Sequence, residues 1–86
     1  MELRDTIDLM LSGNWKDRLQ AEYFQLDIRI KKLEPYIELL TKEAREKGAG
    51  RIDLMFLRRQ IKHMKKYRQE LETRLMFHCP EALKND

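Results

Sequence analysis

The fold is decided by the stretch QIKHMKKYRQELETRL, Gln60 to Leu75. Ile61, Met64, Leu71 and Leu75 recur at steps of three, seven and four, the spacing of one apolar face on an α-helix. Arg68 stands where that face would otherwise continue. Beside it runs a second row, Phe56, His63, Tyr67 and Arg74, at steps of seven, four and seven. That row mixes rings with basic groups, which a purely structural helix does not need.

Downstream, the helix is expected to reach His78, because Pro80 lacks the amide that would continue it. Residues 80–86 read as a polar, frayed tail. Upstream, the pattern extends back to Ile52, and Gly48-Ala49-Gly50 is the one obvious loop between long elements. A loop this short makes the flanking helices antiparallel neighbours. The preceding helix is expected over Trp15 to Lys47, with Asn14 as N-cap, Asp17 three residues later as a variant capping box, and Gly48 as terminator. Its apolar positions Leu19, Tyr23, Leu26, Ile30, Leu33, Ile37, Leu40 and Ala44 alternate steps of four and three, a heptad seam for the partner helix. Phe24, Ile28, Pro35 and Leu39 form a weaker stripe on nearly the opposite side, and Pro35 is expected to bend the helix. Residues 2–11 read as a short helix with Leu3, Ile7, Met10 and Leu11 on one face, broken by Ser12-Gly13-Asn14. It is too short to stand alone and must dock.

The 86 residues suffice for one small helical domain, residues 1–86. The fold class is therefore all-α: a long antiparallel helical hairpin with a short N-terminal helix. Two parallel rods enclose little interior, and the first long helix is apolar on two sides. Oligomerisation is expected, with a symmetric dimer as the default.

Charged residues are 38% of the chain and hydrophobic ones 42%, too apolar for a disordered segment. The net charge of +3 permits an anionic partner, while acids and bases alternate along both long segments, so no DNA partner is expected. No apolar run approaches the ~20 residues of a membrane span, and the start lacks a signal-peptide core. A single cysteine, Cys79, excludes an intrachain disulfide framework, and an intracellular protein is the simplest reading.

Catalysis finds little support. Glu22, Asp27, Glu34, Glu38, Glu70 and Glu72 interleave with Lys and Arg as on a solvated helix face, and nothing isolates an acid pair. His78 and Cys79 are neighbours that point apart, with only His63 as a third candidate, so no metal site is read. No glycine loop with its lysine is present to cradle phosphate, and no cofactor is expected. Binding is better supported. Arg18, Gln25, Arg29, Lys32 and Tyr36 cluster on one flank of the first long helix, opposite the row Phe56, His63, Tyr67 and Arg74. Cations pair with phosphate and rings accept a stacked base. Cations beside a seam also snorkel over it, and Tyr at a seam edge is commonly core with a wet hydroxyl. The pattern alone favours that structural reading. Trp15 likewise reads first as a packing anchor, and Lys62, Lys65, Lys66 and Arg68 as a solvated basic run.

The segments DIRIKKLEPYI, Asp27 to Ile37, and QIKHMKKYRQELETRL together resemble the pattern R-I-x-K-L-x-x-[FY]-I, a short loop, then Q-[IL]-x-x-M-x-x-Y-x-x-x-L-x-x-R-[LI]. This is similar to a family of small phage proteins that includes the anti-CBASS cyclic-oligonucleotide sponges. The match spans about 60 residues but rests on roughly a dozen positions, of which Lys32, Met64, Tyr67 and Arg74 are more specific than the shared heptad apolars. The resemblance implies a helical hairpin with an N-terminal helix, assembled as a homohexamer from interlocked dimers. It implies sequestration, without cleavage, of cyclic di- or trinucleotide messengers in the bacterial host cytoplasm. It assigns Lys32 to ligand phosphate, Arg74 to the trinucleotide site and Trp15 to base stacking. With the flank residues, the candidate site is Trp15, Arg18, Lys32, Tyr36, His63, Tyr67 and Arg74. The competing readings are an oligomeric protein-interaction module acting through Phe24 and Ile28, and, last, nonspecific nucleic-acid binding by the run Lys62 to Arg68.

Overall fold

In the computed structural model the structure describes residues 2–11, 13–48 and 50–83. Expectations for Ser12, Ala49 and the tail positions 84–86 lie outside the described residues. The elements are a 3₁₀ turn Leu3–Asp5, helix α1 Thr6–Leu11, helix α2 Trp15–Lys47, helix α3 Arg51–His78 and a 3₁₀ turn Pro80–Leu83. All regular structure among the described residues is helical, and α2 and α3 pack as a hairpin.

Local chemistry sets the ends of the rods. The Asn14 carboxamide oxygen accepts from the Lys16 amide at 2.9 Å, satisfying one donor that the first turn of α2 leaves open. Gly48 closes α2 in the left-handed region, at φ 68°, and its amide reaches back to Ala44 O at 3.0 Å. Gly50 repeats the left-handed conformation at φ 77° and starts α3 without a side-chain cap. The helix begins one residue before Ile52, at Arg51. At the far end the chain turns out of α3 at Cys79, and Pro80–Leu83 forms a 3₁₀ turn rather than a frayed tail. Ala82 and Leu83 fold back onto the core there. α2 runs on through Pro35 as one helix.

The seam follows the heptad. Leu19, Ile30 and Ala44 of α2 are buried, as are Leu54, Leu71 and Leu75 of α3. Tyr23, Leu26, Leu33, Ile37 and Leu40 are half-buried between them. The tightest cluster lies near the termini, where Leu19, Leu71, Leu75 and Cys79 meet. Arg68, the interruption of the α3 face, reaches across to α2. Its Nη1 donates to Asp27 Oδ1 at 2.8 Å, and Lys31 bonds the other oxygen of the same carboxylate at 2.8 Å. A cation in the apolar row is tolerated because its partner sits directly opposite.

The opening helix docks on α2, as its shortness requires. Ile7, Met10 and Leu11 are exposed, Leu11 to 80%. A hydrogen bond ties it to α2: Thr6 is fully buried, its hydroxyl donates to Leu3 O at 2.6 Å, and it accepts from Gln25 Nε2 of α2 at 2.8 Å. A hydroxyl using both donor and acceptor roles is well suited to a small dry contact. Ala21 on the same side of α2 is buried, and Phe24 and Ile28 are half-buried, while Pro35 and Leu39 stay exposed.

The molecule measures 49 × 23 × 21 Å with a radius of gyration of 15.8 Å. A compact chain of this length has a radius of about 12 Å. No helix is long and apolar enough to cross a membrane among the described residues.

Candidate functional site

Cross-helix bonds set which flank groups face each other. Tyr67 hydroxyl donates to Glu22 Oε1 at 3.1 Å, Arg68 meets Asp27, Lys65 Nζ lies 3.5 Å from Glu34 Oε2, and Arg58 Nη2 donates to Thr41 Oγ1 at 3.1 Å. These rungs run in opposite directions along the two helices, as an antiparallel hairpin requires.

Two clefts gather the expected site residues. The central cleft, about 380 Å³, lies midway along the hairpin. Arg29, Lys32, Leu33 and Tyr36 of α2 form one wall, and Gln60 and Met64 of α3 form the other. The wall follows from helical spacing, because positions 29, 32, 33 and 36 fall on one side of α2. Lys32 and Arg29 are exposed, Tyr36 is 51% exposed, and Leu33 and Met64 are half-buried beneath them. The arrangement is an apolar floor with two cations, a ring face and a carboxamide at its rim. No carboxylate lines it.

The end cleft, about 250 Å³, lies near the termini and is lined by Met10, Trp15, Arg18, Leu19, Glu22 and Arg74. Trp15 is 45% exposed and meets His78 edge-on at 4.9 Å, while Lys16 Nζ lies 5.8 Å from its ring centre. The tryptophan therefore both packs on the end of α3 and presents a face beside two guanidinium groups. Glu22 sits between those cations and Tyr67. The Tyr67 phenol is held above the ordinary value of 10.0, first by partial burial, then by its hydrogen bond to Glu22 and the Glu22 charge; Arg74 pulls the other way. The hydroxyl is thus a neutral donor at neutral pH.

The structure brings together Lys32 and Tyr36 in one place, and Trp15, Arg18 and Arg74 in another. It does not join them into one continuous site. Tyr67 is tied to Glu22, His63 and Phe56 are exposed outside both clefts, and Gln25 is turned to Thr6. Gln60 and Met64 are added to the central cleft, and Met10 and Glu22 to the end cleft. The seam period placed Met64 on the α3 face, but its cleft position depends on the register of α3 against α2. Among the described residues no three His, Cys, Asp or Glu side chains gather as a metal site.

Comparison with known families gives a match. The model of the Sequestin family covers residues 13–77, which take in all of α2, α3 up to Phe77, the central cleft and every lining residue of the end cleft but Met10. The chain belongs to the Sequestin family. The family name denotes a sequestering protein and agrees with the resemblance to the anti-CBASS sponges. No curated protein and no solved structure matches the chain. The Sequestin match begins at Gly13, so α1 with Thr6 lies outside it while Gln25, which holds Thr6, lies within it.

Proposed function

We propose that this Sequestin-family chain binds cyclic di- or trinucleotide messengers and holds them without cleavage, blocking bacterial CBASS anti-phage signalling from within the host cytoplasm. The observation that carries the reading is the central cleft. Arg29, Lys32 and Tyr36 of α2 converge there with Gln60 and Met64 of α3 over an apolar floor. Guanidinium and ammonium groups complement phosphodiester oxygens, a phenol ring stacks on a base, and a carboxamide reads a base edge. Membership of a family named for sequestration supports the same conclusion. Retention without turnover asks only for preorganised contacts, and no nucleophile with its base stands beside Lys32 or Tyr36.

The end cleft serves the same ligand class in this reading, with Trp15 as the stacking ring and Arg18 and Arg74 as phosphate partners. Both clefts are open on one side, and a homo-oligomer closes them with groups from a second copy. A homohexamer built from dimers is the form implied by the sponge resemblance. The oligomer is supported by the exposed apolar groups Leu39, Ile52, Met76 and Phe77, the last 83% exposed. A compact chain of this mass exposes about 5400 Å², against 6605 Å² here.

The test is calorimetry of the full chain against a panel of cyclic di- and trinucleotides. Micromolar or tighter binding of at least one, with the nucleotide recovered intact, is expected. Heat from none of them sinks the proposal. Lys32→Ala is expected to weaken binding about tenfold or more, the scale of one lost charge-assisted bond, while the assembly persists.

A further inference from the structure

A third cleft, about 490 Å³, lies at the loop end of the hairpin, away from both clefts described above. Thr41 and Arg45 reach it from the last turns of α2, and Arg51, Met55 and Arg58 from the first turns of α3. Steps of four on α2, and of four and three on α3, put each set on one helix face. Ala44 and Leu54 are buried beneath them and form an apolar floor. The left-handed glycines Gly48 and Gly50 reverse the chain tightly enough to bring Arg45 and Arg51 into one cleft.

Three guanidinium groups thus share one wall-to-wall space. None of them forms an ion pair with a carboxylate among the described residues, and no acid lines the cleft. Elsewhere along the hairpin the cross-helix cations Arg68 and Lys65 are matched by Asp27 and Glu34. Like charges crowded without a counter-charge repel. One of the three is also held in place. Thr41 hydroxyl donates to Ile37 O at 2.8 Å and accepts from Arg58 Nη2 at 3.1 Å. That bond occupies one of the five donors of Arg58 and leaves the rest for an acceptor. The uncapped start of α3 adds its open amides and positive dipole end beside Arg51. Asp53 shares the neighbouring face by the loop with Arg51 and does not line the cleft.

We propose that this arginine cleft is a separate anion site that takes an oligophosphate group. Arg45, Arg51 and Arg58 each offer a fork to a phosphoryl group, and Thr41 positions Arg58. Two sources share this chemistry: free inorganic oligophosphate, or a nucleoside diphosphate whose base lies against the half-exposed Met55.

The experiment is calorimetry of the full chain with inorganic pyrophosphate and with ADP, at about 0.15 M salt so that general charge attraction is screened. Pyrophosphate is expected to bind at one site per chain and to weaken about tenfold or more in Arg45→Gln and in Arg51→Gln. Lys62→Gln, which removes one exposed cation outside every cleft, leaves it unchanged. If ADP binds tighter than pyrophosphate and Met55→Ala removes the difference, the nucleoside diphosphate is the source. If the two bind alike, inorganic oligophosphate is. A circular-dichroism melt of each variant separates lost binding from lost fold. No binding of either probe, or equal weakening in Lys62→Gln and the arginine variants, overturns the site. The cyclic-nucleotide titration is a separate measurement on separate residues, so either proposal can fail without the other.

Discussion

Tyr67 shows how a flank residue acquires a role through one neighbour. Its hydroxyl donates to Glu22, and partial burial together with that carboxylate raises its pKa above 10.0. The sign follows. A group that holds its proton more tightly when folded contributes stability below its unfolded pKa, and that contribution is lost as pH rises through the folded value. Alkaline titration followed by phenolate absorbance should therefore show Tyr67 ionising above the ordinary tyrosine value. Stability should fall above pH 10, and less so in Tyr67→Phe. Asp27 carries a second prediction. It pairs with both Arg68 and Lys31, and its side chain is 17% exposed. Asp27→Ala leaves a largely enclosed guanidinium without its acceptor, so a loss of about 1–3 kcal/mol is expected by denaturant titration. Arg68→Met in the same background should recover part of it, because the apolar row of α3 then runs unbroken.

At the scale of elements, the ends of α2 depend on two residues whose chemistry is local. Asn14→Ala removes the side-chain acceptor for the Lys16 amide and should cost about 1 kcal/mol in thermal or chemical unfolding. At Gly48 a Cβ would meet nothing within 4 Å, so a substitution there is penalised only by the left-handed backbone at φ 68°. Gly48→Ala should cost about 1–2 kcal/mol, and Gly48→Asn less, since Asn tolerates that conformation. The hairpin itself is legible in the sequence, because eight seam positions on α2 keep one period, and every one is buried or half-buried. The docking of α1 is not. Its apolar spacing could not show that Gln25 of α2 donates to the buried Thr6 hydroxyl. A six-residue helix has too few turns for its pattern to state which side is covered.

For the whole molecule, the balance between interior and surface is the decisive quantity. Among the described residues the fully buried apolar set is short, and its largest members are Ile30, Leu71 and Leu75. Each therefore carries a large share of the core, and Leu71→Ala is expected to cost about 2–5 kcal/mol. A 49 Å rod with exposed Phe77, Met76, Ile52 and Leu39 has apolar ground left for sister chains. Sedimentation and native mass spectrometry should return an oligomer, shifted in mass by bound cyclic nucleotide. A stable lone subunit would leave the clefts open to water and would remove the enclosure on which tight retention depends.

Helix periods, an N-cap asparagine and a left-handed glycine are properties of neighbours along the chain, so the two rods, their ends and their antiparallel order could be read from residues alone. Which flank groups stand together could not. Period fixes the angle of a side chain about its own helix axis, while a site between helices also needs the register and rotation of one helix against the other. The packed hairpin settled that. It spent Gln25 on Thr6 and Tyr67 on Glu22, divided Lys32 and Tyr36 from Trp15, Arg18 and Arg74, and gathered Arg45, Arg51 and Arg58 across a two-glycine reversal.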